Sequence, residues 1–172
     1  MSGMFVIVLP AAILIGGAFI VYLLSRLFHL SNRVESILTV VVLLATLTTL
    51  FMLYSQIPDL VGNPNAQFGD PDPGGIIYKP SALGVFILII ASILGILVVL
   101  FSGEYLAKDP RYLVYYPLIM LTLAGLMGMF LSNSLFNLFL LTEMVTITAS
   151  ALVAFRYQQE IAVKAGFKYL IM

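Results

Sequence analysis

Five stretches of about 20 mostly apolar residues, separated by short polar connections, constrain this chain more than any other feature. They occupy 5–28, 36–54, 82–101, 112–131 and 135–155, and a sixth begins near Ile161 and runs to Met172. At a rise of 1.5 Å per residue, about 20 residues cross the hydrocarbon core of a bilayer. Amides in lipid must find partners within their own segment, so runs of this length become helices. The expected fold is all-α and polytopic, a single transmembrane domain over 1–172 with five full spans and a truncated sixth over 161–172. About twelve residues do not span a core of roughly 30 Å.

Composition agrees with that reading and narrows the chemistry. Apolar residues make up 62% of the chain and charged residues 9%, against about 25% charge in soluble domains. A formal net charge of zero, with the cations dispersed between apolar runs, gives no basic field for nucleic acid. With no cysteine, the chain makes no disulfide and ligates no zinc, haem or iron–sulfur cluster through thiolate. A lone histidine, His29, builds no metal site and reads as an interfacial residue beside Arg26 and Arg33. Neither a phosphate-cradling glycine loop nor a nucleophile–base set is present, so the chain is expected to hold no cofactor and to catalyse no covalent chemistry.

The first apolar run lacks a positive leader and exceeds a signal-peptide core, so it is read as a true membrane helix. Pro10 and Pro117 are placed in the first turns of their helices, where a missing amide does little harm. The glycines at 16, 17, 84, 95, 125 and 128 read as close-packing sites. Residues 55–81 hold five of the eight prolines, four glycines and Asp59, Asp70 and Asp72, and form an exposed loop flanked by Tyr54 and Tyr78. Arg26, Arg33, Lys108, Arg111, Arg156, Lys164 and Lys168 fall on one side and only Lys79 on the other. The positive-inside rule then puts the amino terminus outside a cell membrane, with the sixth helix entering from the cytoplasm.

Near the middle of the fifth span stands one carboxylate, Glu143. An ionisable group at that depth costs about 2.5–3.5 kcal/mol or more, and such groups generally face a protein or water-lined interior and serve transport. Two readings stand: a titratable transport group, or a neutral acid that glues helices together. Helical spacing brings Phe136, Phe139, Thr146 and Ser150 within about 60° of Glu143. Thr146 and Ser150 either bond the carboxyl or simply let helices approach. Lys168 enters the membrane about seven residues from the start of the sixth run, one or two turns from the depth of Glu143. Burial and a nearby cation act oppositely on a carboxyl, so a small movement of Lys168 would switch Glu143 between holding and releasing a proton. The rival for Lys168 is a side chain that snorkels to the interface. Asn133 and Asn137 read as helix-entry and interhelical contacts, and 156–160 as a solvated turn.

Several of these residues carry a family resemblance. The stretch Phe101-Ser102-Gly103-Glu104-Tyr105-Leu106, then Arg111-Tyr112, the helix from Pro117 to Leu131, and Ser132 through Glu143 resemble the antiporter-like membrane subunits. That family is shared by respiratory complex I, Mrp-type sodium/proton antiporters and membrane-bound energy-converting hydrogenases. Ala165-Gly166-Phe167-Lys168-Tyr169-Leu170 is similar to its next helix. The resemblance implies a proton-transfer role for Glu143, paired in the family with a seventh-helix lysine, with Lys168 as a relay or modulating cation. Here Lys79-Pro80-Ser81 replaces the family's aspartate-containing segment, and the seventh helix is not in the chain. The expected partners are therefore other membrane subunits, one of them completing helix 6 and supplying a helix-7 lysine. The resulting expectation is a split or truncated subunit that contributes a buried Glu143 to proton or coupled sodium movement. The alternative is a non-pumping subunit that scaffolds a membrane arm.

Overall fold

The computed structural model describes residues 2–28, 31–61, 68–69, 77–106, 112–156 and 158–171. His29, Lys108, Arg111, Asp70 and Asp72 lie outside the described residues, as does the side chain of Asp59. Among the described residues six helices follow in order: α1 (Ser2–Phe28), α2 (Asn32–Val61), α3 (Ala82–Tyr105), α4 (Tyr112–Leu131), α5 (Leu135–Val153) and α6 (Glu160–Ile171). Two two-residue strands, β1 (Phe68–Gly69) and β2 (Ile77–Tyr78), pair antiparallel before α3. Helices α1 to α5 are long and apolar enough to cross a membrane, so the chain is an all-α, multi-pass membrane protein.

Several boundaries differ from the sequence reading. Helix α2 begins at Asn32 rather than 36, because the amides of Val34 and Glu35 already bond Ser31 O at 2.9 and 3.2 Å. It also runs on to Val61, so the first part of the expected 55–81 loop is helical. Helix α3 gains a turn beyond 101, α5 stops at Val153, and α6 begins at Glu160. Because α1 starts at Ser2 and α4 at Tyr112, Pro10 and Pro117 sit inside their helices, past the first turn. Each therefore leaves a carbonyl one turn back without its helical donor.

Helix α4 is central, packing on α1, α2, α3 and α5, and 50% of its span is buried. Small residues set the approach of the helices. A Cβ on Gly17 would meet Val42 at 2.5 Å, and one on Gly95 would meet Leu123 at 2.8 Å. Gly16 has nothing within 4 Å, so it is not a packing site as the sequence suggested. At one end of the bundle Lys79 N donates to Leu131 O at 2.8 Å, and Ser81 caps α3 through the Gly84 amide.

The other end is clamped by Asn32. Its Nδ2 donates to Gly103 O of α3 at 2.7 Å, and its Oδ1 accepts from the fully buried Tyr116 OH of α4 at 2.8 Å. Tyr116→Phe strands a buried acceptor and is expected to lower stability by about 1–2 kcal/mol. Tyr115 is less enclosed and shares its hydroxyl with Ser102 at 2.8 Å, so Tyr115→Phe should cost less, about 0.6 kcal/mol. Thermal unfolding of the two variants in detergent, side by side, checks the order.

Candidate functional site

Helix α5 follows α4 after a three-residue connection in which Asn137 Nδ2 donates to Ser132 Oγ at 3.0 Å, the helix-entry contact expected of that asparagine. Two glycines of α4 seat it. A Cβ on Gly125 would meet Val145 at 2.6 Å, and one on Gly128 would meet Leu141 at 2.7 Å. Asn137 and Thr148 are buried and Met144 packs on the core. At 100° per residue, Glu143 lies about 160° from both Leu141 and Val145, so it points away from α4.

Glu143 is accordingly exposed within this chain, so no helix described here covers its carboxyl. Only 11% of the α5 span is buried, the smallest share of the five. Phe136, Phe139 and Ile147 are exposed with it, at 61%, 61% and 56%. The result is a band of large apolar side chains with one carboxyl at its centre.

The two hydroxyls nearest Glu143 are committed elsewhere. Thr146 donates to Thr142 O and Ser150 to Ile147 O, each at 2.8 Å. Both keep lone pairs to accept from a protonated carboxyl or a water, and neither has its proton free to give to a carboxylate.

Helix α6 turns back onto the same face. A Cβ on Gly166 would meet Ala154 Cβ at 2.6 Å and Ser150 O at 3.1 Å. Ser150 and Ala154 lie within about 20° of the direction of Glu143. So α6 covers the end of the Glu143 face nearest the turn, beside a groove of about 160 Å³ lined by Ser150, Ala154 and Leu170. Glu143 stands seven residues beyond Ser150, roughly 10 Å further along the axis. Lys168 lies about 160° from Gly166 around α6, is exposed, and has no hydrogen bond or ion pair among the described residues. No ion pair within 4.0 Å joins it to Glu143. The other α6 cation, Lys164, lies 3.4 Å from Glu160 on its own helix. Arg156, in the turn, donates to Tyr105 OH at 3.4 Å and rests over the Tyr105 ring, tying the start of the hairpin to α3.

One acidic residue escapes a reading of the sequence alone. Glu35 is 0% exposed and neither carboxylate oxygen has a hydrogen-bond partner among the described residues. Its signal is a stripe of polar residues, Asn32, Glu35, Ser36, Thr39 and Thr46, at helical spacing. Starting the helix at residue 36 obscures it.

No protein-family model matches the chain. Among curated proteins, NADH-quinone oxidoreductase subunit N of Desulforudis audaxviator is 35% identical over 108 residues, covering 60% of this chain and 21% of that protein. A Na(+)/H(+) antiporter subunit of Alkalihalophilus pseudofirmus is 28% identical over 103 residues, 58% of this chain and 20% of its own length. NAD(P)H-quinone oxidoreductase chain 5 of Synechocystis sp. is 26% identical over 94 residues, 55% of this chain and 14% of its own. The chain thus spans about a fifth, or less, of the length of these relatives.

Proposed function

We propose, because the chain is homologous over about 60% of its length to the antiporter-like membrane subunits, that it forms part of a multi-subunit membrane complex and contributes Glu143 to ion translocation. The observation that carries the reading is the open α5 face with Glu143 at its centre and α6 docked at its near end. A carboxyl on a membrane helix is costly against lipid, so this face is the side on which further protein packs. A proton is the preferred ion, with sodium coupled to it in the alternative, and Lys168 serves as the basic group that modulates Glu143. A base supplied by a neighbouring helix completes the pair. The connections bearing Arg26, Arg33 and Arg156 face the cytoplasm.

The scaffold reading rests on a different observation: no described residue of this chain bonds Glu143. Absence of cysteine makes the two readings separable. In the intact complex, a charged thiol reagent attached at Ile147→Cys, one turn from Glu143, is expected to stop ion translocation. Attached at Leu97→Cys, which is 56% exposed on α3, it should leave translocation unchanged. Equal outcomes at both positions would remove the transport reading.

A further inference from the structure

The start of α2 carries a second carboxyl, enclosed where Glu143 is open. Helix α2 packs on α1, α3 and α4, and its buried stripe is polar from Asn32 to Thr39, mixed at Leu43 and Thr46, and apolar (Leu50, Leu53, Ile57) beyond. Within the polar part, Thr39 follows Glu35 by one turn on the same face. Across the hairpin, Ser25 is three residues before the end of α1 and Glu35 three residues after the start of α2, which puts them at matching depth. Ser25, Glu35 and Thr39 are 1%, 0% and 0% exposed.

Their oxygens are unlike the other buried hydroxyls. Thr46, Ser92, Ser102 and Thr148 each donate to a carbonyl one turn back on their own helix at 2.7–2.8 Å. Ser25 Oγ, Thr39 Oγ1 and both Glu35 oxygens have no hydrogen-bond partner among the described residues. Among these oxygens the buried Glu35 carboxylate is the one that requires a positive charge, since an isolated carboxylate is not tolerated away from water. A hard metal cation takes about six or more oxygens. A proton needs a single acceptor, and the hydroxyls then accept from the acid or from a water.

We infer that Glu35, with Ser25 and Thr39, forms a second proton-binding site, buried between α1 and α2 and separate from Glu143. Two hydrogen-bonded pairs, Asn32 with Tyr116 and Ser102 with Tyr115, lie at the same end of the bundle. Other ionisable groups at this end among the described residues, from every helix packed on α2, are Tyr22 and Arg26 of α1, Glu104 and Tyr105 of α3, and Tyr115 and Tyr116 of α4. Arg33 belongs to α2 itself. Arg26, Arg33, Glu104 and Tyr105 are exposed and Arg26 bonds Tyr22, so Tyr22, Tyr115 and Tyr116 are the ones at least partly enclosed. Loading the site is the addition of one proton to the Glu35 carboxylate, and unloading is its return. This reading stands whether or not Glu143 transports.

The test uses native membranes containing the unaltered protein with its partner subunits. Dicyclohexylcarbodiimide modifies protonated carboxyls in apolar surroundings, and the modified peptide is located by mass spectrometry. Glu35 is expected to be modified at neutral pH, with labelling that falls as the medium is made alkaline and is indifferent to replacing choline by sodium. Thr39→Val keeps the side-chain shape and should shift the pH at which labelling is halved. Failure to label Glu35 overturns the proposal, and so does labelling that is independent of pH. Protection by sodium at fixed pH overturns it in favour of a metal-cation site.

Discussion

Glu143→Gln is expected to reduce ion translocation by about 100-fold or more while the complex still assembles. A positioned group that takes and returns a proton contributes roughly 10²–10⁴ in rate, and glutamine neither accepts nor releases one. Its amide matches the carboxyl in size and still hydrogen-bonds, so packing on the open α5 face is preserved. The contacts that seat α5, Leu141 on Gly128 and Val145 on Gly125, are on the far side of the helix and are untouched. Glu143→Asp retains the acid but withdraws it by one methylene, and partial translocation is expected. Proton uptake into vesicles carrying the assembled complex, normalised to the amount of complex, gives the ratio. If Glu143→Gln translocates at the unaltered rate, Glu143 is inert and the chain is a scaffold.

The number of spans is legible in the sequence, because the length an apolar run needs to cross a bilayer is nearly the length at which it is recognisable. The sidedness of each span is not. Helix α5 is apolar nearly all round, so hydrophobic pattern cannot say which face meets α4. Sequence reasoning marks Glu143 as the one carboxylate of its span but does not show that it points away from α4. The glycines that decide the matter, Gly125 and Gly128, are on another helix and are readable as packing sites but not as the seat of α5 in particular. For Thr146 and Ser150, spacing shows the right face but not that each donates to its own backbone, as hydroxyls in membrane helices commonly do. Glu35 is lost for a different reason. A polar Asn-Arg-Val-Glu stretch reads as a connection until Ser31 is seen accepting the first amides of α2. A buried polar stripe at helical spacing is the cue that recovers it.

Gly166→Leu is expected to detach α6 from α5, with a penalty of about 1–3 kcal/mol from overpacking. The atoms a side chain would meet are Ala154 Cβ at 2.6 Å, Ser150 O at 3.1 Å and Ala154 Cα at 3.5 Å. These are backbone or backbone-anchored atoms, so none can swing aside as the Leu123 side chain facing Gly95 can. Helix α6 has 12 described residues, roughly 18 Å at 1.5 Å each. Its position in the described chain depends on the Gly166 contact, and Lys168 moves with it. Gly16→Leu is the matched control, because nothing lies within 4 Å of that position. In a chain with no native cysteine, Ser150→Cys and Phe167→Cys line one groove and should be joined by a short thiol cross-linker. Cross-linking should survive Gly16→Leu and fall sharply with Gly166→Leu, and translocation should fall with it towards the level of Lys168→Ala. Equal cross-linking in the two variants would mean that α6 is held by something other than this contact. A loss of cross-linking without loss of translocation would separate Lys168 from the transport site and leave Glu143 to be tuned from a neighbouring helix.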